Sequence, residues 1–181
     1  MILGFSTLGI LTYVTLFPLI LKDKRLEKIG KVFFGALLPQ AAVLLFAVWL
    51  RISDYGITEN RYLLVVFGSW LIGIPLYFLG STQGASKEDH KKLSVIPVSL
   101  CIILIVISFG PWGMFSVSKR SQVSRLTSIL EKNQILIDGK ITKEEKEVSK
   151  DESMEIYEIL SYLDRNDNLT SIQPWFLEDI S

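Results

Sequence analysis

Apolar and polar residues in this chain are separated into long blocks. Met1–Leu21, Val32–Leu50, Tyr62–Leu79 and Leu93–Phe109 are apolar runs without a single Asp, Glu, Lys, Arg or His. At about 1.5 Å per helical residue the first reaches about 31 Å, the thickness of a bilayer's hydrocarbon core. A soluble helical bundle needs a polar face on each helix, and these runs show none. A Lys or Arg at mid-membrane costs roughly 3 kcal/mol, so all four can insert on hydrophobicity alone. The pattern predicts a mainly α membrane protein with four transmembrane helices, at about 1–21, 32–50, 62–79 and 93–109, in a domain covering 1–115. The fourth can run on to Phe115 across Gly110-Pro111-Trp112-Gly113. The polar stretch Arg51–Arg61 is too short for a domain and reads as a tight turn between the second and third helices. Read as a signal peptide, the first run would need a basic start and a small-x-small site before Lys22, and it has neither. A membrane helix that begins at Met1 without a flanking charge suggests a truncated N-terminus.

From Ser116 the pattern changes. Val123, Leu126, Ile129 and Leu130 share a helical face. Ile135–Ile137, Asp138-Gly139 and Lys140-Ile141 predict a hairpin with a tight turn. Thr142-x-x-Glu145 and Ser149-x-x-Glu152 are alternative capping boxes for a helix with face Ile156, Tyr157, Ile159, Leu160 and Leu163, ended by Asn166-Asp167-Asn168. Leu169, Ile172, Trp175 and Phe176 form a last apolar cluster. Residues 116–181 are thus expected to be a small soluble α segment with a β hairpin. Its size is near the lower limit for an independent core, so it should dock on the membrane domain or continue past Ser181.

Charge sharpens this division. Of the 181 residues 49% are hydrophobic and 21% charged, with formal net charge zero. Residues 1–115 hold ten Lys/Arg and six Asp/Glu, and residues 116–181 hold nine and thirteen. A basic half and an acidic half cancel, and no basic surface for nucleic acid emerges. Basic residues in short loops orient a membrane protein. The first loop (Lys22, Lys24, Arg25, Lys28, Lys31) and the third (Lys87, Lys91, Lys92) outweigh Arg51, Arg61, Lys119, Arg120 and Arg125. The first and third loops are expected in the cytoplasm, and the 51–61 turn and the C-terminal segment outside. Four crossings put that turn and the Gly110–Arg120 exit on one face, with Trp49, Tyr62 and Trp112 at the interface. Each span carries one proline (Pro18, Pro39, Pro75, Pro97) in the half near the basic loops. A kinked bundle lined by Gln40 is one reading, and ordinary proline tolerance in membrane helices the plainer one. Ser69-x-x-x-Gly73 is a possible close-approach pair. Cys101 has no partner for a disulfide within the chain.

Candidate chemistry gathers at the turn and the exit. Asp54, Tyr55, Glu59, Asn60 and Arg61 could meet a ligand or partner together with Trp112, Lys119 and Arg120. Asp54 and Glu59 are the residues for any acid–base chemistry. The plainer alternative is a hydrated turn, with Thr58 capping the third helix, Glu59 in its first turn, and Gly56 at a backbone angle other residues resist. His90 is the single histidine, so neither a metal centre nor a serine triad is expected. Gly80–Gly84 lacks the ending of a phosphate loop. No catalytic residue, metal or cofactor is assigned. Apolar runs without an ionisable residue weigh against a self-sufficient ion-coupled transporter.

Tyr55-Gly-Ile-Thr-Glu-Asn-Arg61 before an apolar span, and Ser108-Phe-Gly-Pro-Trp112 followed by Ser116-Val-Ser118 and Ser121-Gln122, resemble a family of bacterial polytopic inner-membrane proteins known as the domain of unknown function four-one-five-three. Ile135–Ile141 and Ile159–Leu163 fit the same likeness, which covers roughly Val32 to Phe176. The resemblance implies a bacterial inner-membrane location, and a fragment or short version of a longer protein. It supplies no mechanism and no catalytic residue. The expected role is an envelope binding or scaffolding component, with the bilayer and an envelope protein, met through 116–181, as partners. Part of a transporter, and a membrane enzyme using the 51–61 loop, are the alternatives.

Overall fold

The computed structural model describes residues 2–20, 24–80, 93–142 and 146–176. The chain is mostly helical. Its elements are α1 (Ile2–Ile20), α2 (Lys24–Tyr55), α3 (Glu59–Gly80), α4 (Val95–Ser108), α5 (Met114–Lys132), β1 (Leu136–Ile137), β2 (Lys140–Ile141) and α6 (Lys150–Arg165), followed by 3-10 turns at Leu169–Ser171 and Gln173–Trp175. They fall into two compact units. The first comprises Met1–Asp54 with Asn60–Phe109, and the second Tyr55–Glu59 with Gly110–Ser181. Tyr55–Glu59, in the middle of the 51–61 turn, groups with the C-terminal unit.

In the first unit, α1, α2 and α3 contain stretches long and apolar enough to cross a membrane: Leu3–Ile20, Arg25–Tyr55 and Glu59–Gly80. The fourth apolar helix, α4, has only 14 residues, about 21 Å. It does not run on to Phe115: Phe109 is extended and Gly110 has φ +79°. The basic stretch expected as a loop is helical from Lys24, so α2 reaches 32 residues. Lys, Arg, Leu and Glu are good helix formers. Glu27 also accepts a hydrogen bond from Lys31 Nζ at 2.8 Å, one turn on. The loop Ser81–Lys92, including Lys87, His90, Lys91 and Lys92, lies outside the described residues.

The unit has a small core under an apolar exterior. Ile10, Phe34, Leu37, Ala41, Leu71, Ile74 and Ile96 are buried together. Phe34 stacks on Phe78 at 4.9 Å and meets the edge of Tyr13 at 4.7 Å. Leu8, Leu11, Val43, Phe46, Leu76, Ile102 and Ile105 point outward. The hydroxyls of Thr7, Thr12, Thr15 and Ser69 donate to carbonyls four residues back, which hides their polarity inside each helix. Close approach occurs at Gly68 rather than Gly73: a Cβ on Gly68 would lie 2.7 Å from Leu45, whereas one on Gly73 would meet nothing. Pro18, Pro39 and Pro97 are exposed and only Pro75 is buried, with Gln40 half-buried. Three of the four prolines therefore face away from any lining.

The C-terminal unit closes around Leu126, Leu130, Leu136, Ile159, Leu163 and Ile172, with Val123, Ile129, Ile156, Leu160, Leu169, Trp175 and Phe176 packed on them. Tyr157, expected on this face, is 72% exposed. It follows Ile156 directly, and adjacent helical positions diverge by about 100°. β1 and β2 pair antiparallel, Leu136 opposite Ile141. Asp138 and Gly139 both take positive φ, the two-residue turn that matches the strands' twist. α5 ends in a Schellman arrangement: Gln134 N–H reaches Glu131 C=O and Ile135 N–H reaches Leu130 C=O. α6 ends the same way at Asp167 and Asn168. Of the two capping boxes, Ser149 opens α6, accepting from Glu152 N–H at 3.3 Å. Glu145 of the other lies outside the described residues. Leu163 is fully buried, so Leu163→Ala should cost about 2–5 kcal/mol in denaturant unfolding of the detergent-solubilised chain. A loss under about 1 kcal/mol would contradict the core.

Candidate functional site

The 51–61 stretch shrinks in the structure to Gly56-Ile57-Thr58. Arg51–Tyr55 continue α2, and Glu59 opens α3. A helix end leaves its last carbonyls, and a helix start its first amides, without partners inside the helix. Three residues cannot satisfy both, and α5 supplies what they lack. Gln122 Nε2 donates to Tyr55 C=O at 3.3 Å and to Ile57 C=O at 3.0 Å. Ile57 N–H donates to Ser121 Oγ at 2.9 Å. Gln122 is only 4% exposed, so its amide is spent on the turn and not on water.

Gly56 explains how close this approach is. Its φ is +69°, and a Cβ there would lie 2.8 Å from Arg125 Cδ and 3.2 Å from both Gln122 Nε2 and Ser121 Oγ. The Arg125 stem covers the glycine, and its guanidinium pairs with Glu155 on α6. Glu59 accepts a hydrogen bond from the Tyr162 hydroxyl, also on α6. Its charge also suits the first turn of α3. Burial, then the hydrogen bond to Glu59 and its negative charge, holds the Tyr162 hydroxyl well above its ordinary value of 10.0. Ser118 lies close enough to pull weakly the other way, though its buried Oγ reaches no partner at hydrogen-bond geometry among the described residues.

The residues singled out from the sequence divide between the units. Tyr55, Glu59, Trp112, Lys119 and Arg120 belong to the C-terminal unit, and Asp54, Asn60 and Arg61 to the first. Glu59 is engaged by Tyr162. Arg120 turns back to Pro111 C=O and to Ser116 C=O. Asp54, Tyr55, Asn60, Trp112 and Arg120 are exposed, while Glu59, Arg61 and Lys119 are half-buried. The residues that hold the turn, Ser121, Gln122, Arg125 and Tyr162, were not in the predicted site. Gln122 had a signal: it occupies a stripe with Ser118, Leu126 and Leu130 at four-residue spacing, all buried. A polar side chain in such a stripe needs a buried partner. No cluster of His, Cys, Asp and Glu able to hold a metal occurs among the described residues.

Residues 2–138 match the model of the family described as Domain of unknown function (DUF4153). The chain belongs to this family. The match includes both the Gly56 turn and α5, and ends at Asp138, before α6 and Tyr162. No curated protein and no solved structure matches the chain.

Two variants test the docked turn. Gly56→Ala should lose at least about 1–2 kcal/mol from the left-handed backbone alone, and more from the contact with Arg125; unchanged denaturant unfolding would remove the packing described. Tyr162→Phe should cost about 1 kcal/mol at neutral pH, since water reaches part of this half-buried site. The folded unit holds the neutral phenol, and the unfolded chain ionises first. The tyrosine's contribution is therefore complete below pH 10 and is lost as pH rises above it. The stability gap between wild type and Tyr162→Phe should narrow above pH 10; a constant gap would contradict this.

Proposed function

We propose that this DUF4153 protein is a multi-pass component of the bacterial inner membrane whose C-terminal unit serves as a mounted binding or scaffolding module of the envelope. One observation carries the reading: the turn between α2 and α3 is held as part of the C-terminal unit. Tyr55 C=O, Ile57 C=O, Ile57 N–H and Glu59 are all engaged by side chains of α5 and α6. A loop built for acid–base chemistry or ligand capture keeps such groups open toward a substrate. Here Glu59 and the turn's backbone groups are engaged within the C-terminal unit, which favours a structural role for the turn over the enzyme reading. The fourth crossing in this proposal is made by α4, whose 14 residues suffice only where the bilayer thins or flanking residues extend the span. The basic start of α2, Lys24–Lys31, faces the cytoplasm in this proposal, and the C-terminal unit lies outside, where Met154 and Tyr157 on α6, 60% and 72% exposed, offer a surface to an envelope partner.

Single-cysteine labelling of intact and permeabilised cells tests the threading, after Cys101 is replaced by Ser. Ser53→Cys and Ser128→Cys should react with an impermeant maleimide from the same side, and Ser86→Cys only from the other. Both exchanged serines with described side chains are exposed, so a label on opposite sides for 53 and 128 would overturn the arrangement. The module itself is tested by photo-crosslinking from position 157 in cells. A discrete adduct that vanishes when Met154 is changed to Asp supports it, and absence of any adduct counts against it.

A further inference from the structure

The exit Gly110–Gly113 is a closed and clipped turn. Gly113 N–H donates to Gly110 C=O at 3.0 Å, and Val117 N–H then donates to Gly113 C=O at 3.0 Å as α5 begins. Arg120 folds back along α5. Its Nε donates to Ser116 C=O at 3.3 Å, and its terminal nitrogen donates to Pro111 C=O. Pro111 adds a fixed φ. What this clip holds outward is apolar: Trp112 is 74% exposed and Phe115 56%. Lys119 follows Phe115 by one helical turn, on the same face.

An indole and a phenyl ring held out together on a braced turn mark a surface that something covers. Two observations select the cover. The turn starts two residues after the last residue of α4, a helix that carries no charged residue. Moreover, within a segment rich in acidic residues the first charges met are Lys119, Arg120 and Arg125, the sign that suits lipid phosphate. Tryptophan is itself favoured where a bilayer meets water, with its ring in the apolar layer and its N–H among headgroups. We propose that the Gly110–Gly113 turn is an interfacial seat: Trp112 and Phe115 enter the headgroup–acyl boundary of the bilayer, and Lys119 meets lipid phosphate. The Arg120 clip holds the turn that presents these two rings. This rests on the membrane reading above and adds a lipid contact to it.

The test is fluorescence quenching of the full chain reconstituted in phosphatidylcholine vesicles, with bromines placed either near the headgroup or near the chain ends. Emission from Trp112 is taken as the difference between wild type and Trp112→Phe, and emission from Trp49 likewise with Trp49→Phe. Trp112 should be quenched at least twofold more by shallow than by deep bromines. Adding phosphatidylglycerol should increase that quenching, and Lys119→Gln should abolish the increase. If Trp49 is quenched and Trp112 is not, the seat is overturned and the membrane reading stands. If neither is quenched, the membrane reading fails and the seat with it. If Lys119→Gln leaves the phosphatidylglycerol effect intact, the phosphate contact is overturned.

Discussion

A chain that reverses direction between two helices must find partners for the backbone groups that the helices leave open. Here the reversal takes three residues, Gly56-Ile57-Thr58, and solves the problem by borrowing. Gln122 supplies donors to Tyr55 and Ile57 carbonyls, Ser121 an acceptor to Ile57 N–H, and Tyr162 a donor to Glu59. Such bonds contribute about 1 kcal/mol each when made, and cost more than that when one partner is removed and the other stays buried. The turn and the C-terminal helices are therefore one structural unit, although more than 60 residues separate them in sequence.

This dependence ties particular side chains of the C-terminal unit to the turn. A Cβ on Gly56 would crowd the Arg125 stem at 2.8 Å on a left-handed backbone of φ +69°. Arg125 in turn is held by Glu155, and α6, which bears Glu155 and Tyr162, is fixed by Ile159 and Leu163 in the core. The α6 helix therefore touches the α2–α3 turn by two routes, Glu155 through Arg125 and Tyr162 directly through Glu59. The part of the chain matched to DUF4153 contains the turn and α5, whereas the Glu155 and Tyr162 contacts come from beyond it.

The two units also use different physics. In the first, large apolar side chains and self-bonded hydroxyls form the exterior over a small core that is aliphatic apart from Phe34. In the second, a compact apolar core is enclosed by capped helices and a hairpin, with ion pairs at the rim such as Lys132–Glu152 at 2.8 Å. That pair draws Glu152 below the usual carboxylate range, through the hydrogen bond from Lys132 first and from Ser149 second. It is a surface pair, and such pairs add little to stability.

By itself the sequence determined the apolar helices, the hairpin at Asp138-Gly139 and most of both faces that build the C-terminal core, because these depend on local periodicity and on turn residues with few conformations. It did not reveal where helices run past a change of polarity. α2 absorbs both Lys24–Lys31 and Arg51–Tyr55, since helix propensity is indifferent to the boundary between apolar and polar blocks. α4 stops short because Gly110 takes a left-handed angle that hydrophobicity does not encode. The partners of the turn were decided only by the tertiary structure. Charge pointed to Lys119 and Arg120, but the groups that need satisfying are backbone carbonyls and an amide, and short neutral side chains at Ser121 and Gln122 reach them without bringing an unpaired charge into a buried place.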